Sequence, residues 1–141
     1  MPHLVILYTP NLDKATDMTA LCRSLADGML AVHDDEGKSV YPPGGTRVLA
    51  YPATHYAVSD GGAAGKAAGG DGDYAFVYLN VRMAKGRSDA TKKRAGEALL
   101  VLANRHFEQL LKEKHMGITL QIDEGHESFD GKLSSLHPLF R

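Results

Sequence analysis

The order strand, helix, strand occurs twice in this chain, once on each side of a stretch made almost wholly of glycine and alanine. The first copy opens with His3 to Tyr8, a short run rich in Leu, Val and Ile that suits a buried strand. Turn formers follow at Thr9, Pro10, Asn11 and Asp13. Met18, Leu21, Cys22, Leu25 and Met29 then recur at helical spacing, which predicts a helix over about 14–32. Residues 33–45, with their charges, glycines and the Pro42, Pro43 pair, read as a loop, and 46–58 read as extended despite Pro52. In the second copy, Ala75, Val77, Leu79, Val81 and Met83 alternate with Tyr74, Phe76, Tyr78, Asn80 and Arg82, the period-two pattern of a strand with one apolar face. Ser88 is a candidate N-cap, and Asp89 suits the positive end of a helix dipole. Ala95, Leu99, Leu102, His106 and Leu110 carry that helix to about residue 114. Gly117 is placed to stop it, and Ile118, Leu120 and Ile122 alternate as a final strand.

The pattern predicts an α+β fold: two pseudo-repeated β-α-β units, about 2–58 and 73–124, sharing a four-stranded mixed sheet with two helices on one face. A tail over 125–141 completes a single domain across 1–141, a length that buries one core. The intervening residues 61–72 have too little side chain to hold one conformation and are expected to form a flexible surface loop. Helices on one face leave the face carrying Phe76 and Tyr78 in need of a cover. A partner subunit supplies it most economically, so a homo-oligomer is expected; a simply solvated face would leave a monomer.

Composition narrows the function. A formal net charge of -1, with basic residues scattered among acidic ones, gives no field to attract nucleic acid or acidic lipid. The longest strongly apolar run, Leu4 to Leu7, falls far below the roughly 20 residues of a membrane span, so a cytoplasmic protein without membrane partners is expected. The lone Cys22 lies on the inner stripe of the first helix and reads as a small core residue in a reduced compartment. The seven histidines have neither His-Glu-x-x-His spacing nor cysteine partners, which argues against a metal site. Gly65 and Lys66 lack the rest of a phosphate loop. The Gly70 to Ala75 run precedes a strand instead of following one, so it is no dinucleotide fingerprint. No G-x-S-x-G elbow supports a covalent hydrolase. His106, on the inner helical stripe, reads as a satisfied, partly buried histidine and not a proton shuttle.

Pro2 is the informative residue. Removal of Met1 would leave it a free secondary amine immediately before a buried strand. Such an amine is ordinarily protonated at neutral pH, and it becomes a base only if an apolar pocket or a nearby cation disfavours the ammonium form. Taken alone, Met-Pro at a chain start signifies no more than efficient methionine removal.

Four segments carry more. The opening MPHLVILYTPNLD, the central DYAFVYLNVRMAKGRS and the helix start KKRAGEALLVLANRHF, together with the closing LHPLFR, resemble the 5-carboxymethyl-2-hydroxymuconate isomerases of the tautomerase superfamily. Members share the macrophage migration inhibitory factor-like fold. The resemblance spans nearly the whole chain. Residues 61–72 are longer than the family's usual connection, and the region before Arg47 lacks its arginine-rich turn.

The resemblance implies a homotrimer whose sites lie near an amino-terminal proline and border an adjacent subunit. It also implies a cofactor-free isomerase of aromatic catabolism that ketonises a 2-hydroxymuconate-type dienol: a proton leaves the 2-hydroxyl, another arrives at C5, and a 2-oxo-3-ene results. Pro2 would carry the proton. Arg87, in the GRS turn, would bind a carboxylate with its planar fork, and Arg47 is the nearest candidate for a second substrate-binding arginine. Arg82, on the strand face opposite the helices, fits a structural ion pair at a subunit interface. Two rivals keep the fold: a trimeric binding protein without the chemistry, and a tautomerase, decarboxylase or hydratase acting on another 2-oxo acid.

Overall fold

The structure, a computed structural model, describes residues 2–140. Four strands, β1 (His3–Tyr8), β2 (Arg47–Pro52), β3 (Ala75–Ala84) and β4 (Met116–Gly125), form one sheet in the order β2-β1-β3-β4. Within each unit the strands run parallel, β1 with β2 and β3 with β4, while β1 and β3 meet antiparallel at the centre. Helices α1 (Met18–Leu30) and α3 (Asp89–Glu113) are the crossovers, and a short α2 (Ala63–Ala67) lies between the units. This is the α+β arrangement expected from the doubled strand-helix-strand pattern.

Both long helices close the same face. Leu4 and Ile6 of β1 and Val77, Leu79 and Val81 of β3 are fully buried against Leu21, Leu25 and Met29 of α1 and Ala95, Leu99 and Phe107 of α3. Gly28 lets the helices approach: a Cβ there would overlap the Leu102 side chain. The other face stays open, and Leu7, Leu49 and Tyr51 are each nearly half exposed on adjacent strands. Ser88 caps α3 as predicted, its Oγ accepting from the Thr91 amide at 3.1 Å.

The sequence reading and the structure part in several places. Helix α1 begins at Met18, not near residue 14, because Pro10–Leu12 form a 3-10 turn and Asp17 is the cap, its carboxylate accepting from the Ala20 amide. Strand β2 ends at Pro52, which has no N–H to continue a ladder. Gly117 does not terminate α3, which ends four residues earlier. It lies within β4, where a Cβ would stand 3.2 Å from the Phe76 ring. The segment 61–72, expected to be a flexible loop, carries α2 and is pinned by its flanks. Asp60 accepts from the amides of Gly62 and Ala64 at 2.9 Å each, and the Gly65 amide donates to the Tyr74 hydroxyl at 2.8 Å.

The inner stripe of α3 also centres on Phe107 instead of His106. His106 sits at the margin, 2.8 Å from Thr16 Oγ1, where burial pushes its pKa down. Cys22 is half-buried at the margin of the core, and desolvation there raises its thiol pKa.

Candidate active site

Antiparallel pairing sets His3 against Arg82, so the residue before His3 comes alongside the end of β3. Pro2 accordingly shares a cavity wall with Met83 and Ala84. Beyond β3 the chain turns at Gly86, whose φ of 111° is one that side-chain-bearing residues rarely adopt. That turn delivers Arg87 to the same place just before the Ser88 cap. The α1-β2 loop supplies the facing wall with Val40, Pro42 and Gly45. The enclosed volume is about 200 Å³, below the roughly 300–1,000 Å³ typical of drug-sized sites, which suits a small metabolite.

Arg87 is held loosely. Its Nη1 donates to Asp34 Oδ2 at 3.4 Å and its Nη2 to the Val40 carbonyl at 3.3 Å, both at the long end for charge-assisted bonds. Asp34 is itself fixed by the amides of Lys38 and Glu36, each at 2.9 Å. The Lys38 amide is the main reason its carboxyl pKa lies below the usual value, with the charges of Arg87 and Lys38 adding to the effect. Between Val40 and Pro42, Tyr41 is fully buried, and its hydroxyl has no hydrogen-bond partner among the described residues. Burial raises its pKa to about 12 against the opposing charge of Arg87, so it stays protonated at neutral pH.

Within one chain the fold therefore brings Pro2 and Arg87 together but leaves Arg47 apart. Arg47 opens on a neighbouring groove of about 520 Å³ with Cys22, Arg23 and Phe140, and its Nε donates to the Gly45 carbonyl at 3.3 Å, behind the Pro2 wall. Arg82 lies on the open sheet face, paired in register with Asp123 of β4. Met1, whose removal would free the Pro2 nitrogen, lies outside the described residues.

An apolar wall, a proline and an arginine held by long bonds thus share one small cavity. The profile of the 5-carboxymethyl-2-hydroxymuconate isomerase family matches residues 2–140. The chain belongs to that family. A curated member, 5-carboxymethyl-2-hydroxymuconate Delta-isomerase from Escherichia coli, is 24% identical over 141 residues, covering 100% of both chains. Among solved structures, a 5-carboxymethyl-2-hydroxymuconate delta-isomerase is 57% identical with a TM-score of 0.96, over 100% of this chain and 93% of that one. A 5-carboxymethyl-2-hydroxymuconate isomerase from Deinococcus radiodurans R1 is 28% identical with a TM-score of 0.80, over 99% and 94%. The protein is an isomerase of this family, and none of its described helices is long and apolar enough to cross a membrane.

Two residues of the isomerase's cavity escape a reading of the sequence. Lys132 and His137, both from the C-terminal segment, complete the lining. His137 lies in the closing LHPLFR motif, a signal that pointed to the segment without giving it a place. Lys132 sits in a stretch with no periodicity, and nothing in the sequence singles it out.

Proposed function

We propose that this isomerase ketonises 5-carboxymethyl-2-hydroxymuconate in the cytoplasmic breakdown of aromatic compounds, with the nitrogen of Pro2, freed by removal of Met1, carrying the proton. The supporting observation is that Pro2 and Arg87, far apart in sequence, line one small cavity. The wall of Val40, Pro42, Met83 and Ala84 disfavours an ammonium ion, and the guanidinium beside it repels one, so both push the amine toward its neutral, basic form. Neutral Pro2 accepts the proton of the 2-hydroxyl and returns one to C5, a transfer that moves no electrons to or from the substrate. Arg87 binds a carboxylate and stabilises the oxygen charge as the dienolate forms.

The working unit in this proposal is a homotrimer. The open sheet face supports it, since Leu7, Leu49 and Tyr51 form an apolar patch that water covers poorly. Arg47 is assigned a second carboxylate at a site shared between subunits, because within one chain it faces a different groove. An Arg47→Ala variant with an unchanged KM would remove that assignment.

Replacement of Pro2 by Ala tests the central claim. Loss of a positioned acid-base group should lower kcat by about 10²–10⁴-fold with the fold intact by circular dichroism. Mass spectrometry of the wild-type chain checks that Met1 is gone. A folded, processed Pro2→Ala protein with full ketonisation activity overturns the mechanism.

A further inference from the structure

We propose that Lys132 and His137 form a subsite for a third carboxylate, making the Pro2 cavity selective for tricarboxylate over dicarboxylate dienols. The inference rests on the isomerase reading above and goes on to the part of the substrate that Pro2 and Arg87 leave unaccounted for. A 2-hydroxymuconate carries two carboxylates, and its 5-carboxymethyl derivative carries a third on a flexible arm. Placing that group in a small cavity with apolar walls is costly unless a cation or several donors meet it. Arg87 already shares its charge with Asp34 at 3.4 Å. Lys132 and His137 are the remaining basic side chains on the cavity wall among the described residues.

The segment is built to present them. Ser134 Oγ accepts from the amides of Leu136 and His137 at 3.1 and 3.3 Å, turning the chain into the 3-10 helix His137–Phe140. His137 lies directly over Gly44, where an added Cβ would overlap its ring and stand 3.0 Å from its Cα. The missing side chain at Gly44 therefore lets the segment close on the α1-β2 loop that also anchors Arg87. Lys132 is paired with Asp130 at 3.1 Å, but both side chains are nearly half exposed, at 45% and 46%. An exposed pair of this kind is weak and can be exchanged for a ligand carboxylate. No residue of 126–140 belongs to the buried core, so these side chains can be altered without removing what holds the fold.

Two measurements on the full-length, processed enzyme test the subsite. The first is the ratio of kcat/KM for 5-carboxymethyl-2-hydroxymuconate to that for 2-hydroxymuconate. The second is calorimetric binding of two saturated, unreactive mimics, pentane-1,2,5-tricarboxylate and adipate. Lys132→Met should lower the triacid-to-diacid ratio about tenfold in both measurements, the size expected for one charge-assisted contact, and Lys132→Arg should restore it. Gly44→Ala, which changes no charge but displaces His137, should lower the ratio in the same direction. Asp130→Asn, by releasing Lys132, should raise it. Equal effects on triacid and diacid, or an unchanged ratio in Lys132→Met, overturn the subsite, as does a wild-type chain that binds neither mimic. Wild-type selectivity between the mimics without turnover of either dienol would sink the isomerase reading and leave the subsite standing.

Discussion

The two ends of the sheet are built from similar parts and use them differently. At the end where β3 and β4 begin, most charged and polar groups are closed on one another by short bonds, with Asn11 Oδ1 buried and without a hydrogen-bond partner among the described residues. Asp73 accepts from Lys114 Nζ at 2.7 Å and from Asn11 Nδ2 at 3.0 Å, and the same Asn11 amide donates to the Tyr74 carbonyl at 2.8 Å. At the Pro2 end, Arg87 reaches its partners at 3.3–3.4 Å, and Lys132 meets an Asp130 that is itself half in water. A cavity beside Tyr74, at about 350 Å³, exceeds the 200 Å³ of the Pro2 cavity, but backbone and small side chains make up most of it, and His115 packs edge to face on Tyr74. Volume does not distinguish the two cavities chemically. What separates them is whether the polar groups are consumed by the fold or left within reach of a ligand.

If that division is right, substitutions at the two ends should affect different observables. After Pro2→Ala, Arg87→Met should have the largest effect, lowering kcat/KM by about 10²–10³-fold, the range seen when a donor to a developing oxyanion is lost. Its stability should fall by no more than about 1 kcal/mol, because the Asp34 pair it breaks is long and partly solvated. Steady-state assays together with urea titration give both numbers. A variant with normal turnover and a large stability loss would place Arg87 among the structural groups. The mirror experiment is Asn11→Ala, which removes two hydrogen bonds that tie the 3-10 turn to the start of β3. It should cost about 1–2 kcal/mol in urea titration and leave kcat/KM within twofold. A tenfold loss of activity at preserved stability would mean that the two ends are coupled.

The same division governs what can be read from the sequence. The alternation from Ala75 to Met83 is legible because a strand with one buried face has no other way to place its side chains. The Ser88 cap is legible because the cap and the amide it serves are three residues apart. The 61–72 segment is misread because its order comes from outside it: the Asp60 carboxylate and the Tyr74 hydroxyl satisfy backbone amides that glycine and alanine leave without side-chain partners. His106 and Phe107 trade places for a simpler reason, since a helical stripe is wide enough that its centre can shift by one residue. The candidate site is the least legible part. Pro2 and Arg87 are brought together by antiparallel register between β1 and β3, and Lys132 arrives on a segment that obeys neither helical nor strand period. The chain start offered Pro2, and family resemblance gave it a role and added Arg87, but only the fold shows that they share a cavity whose lining does not include Arg47.

The smallest expected effect is a pH dependence at the structural end. The Lys114 hydrogen bond is the chief cause holding the Asp73 carboxyl below the usual aspartate pKa, with Asn11 second and burial opposing. A carboxyl depressed in the folded state contributes stability that is present above the unfolded pKa of about 3.9 and is lost as pH falls through the folded value. The sign is therefore destabilising on acidification, confined to the region below about pH 4 and absent at neutrality. Because the Asp73 side chain is 54% exposed, solvent screening reduces the contribution to a few tenths of a kcal/mol. Asp73→Asn should accordingly flatten the acid limb of the stability curve slightly, and the pH profile of kcat/KM should be superimposable on that of the wild type. A shift in the activity profile instead would show that Asp73 is sensed at the Pro2 cavity, and the separation of the two ends would fail where it is easiest to measure.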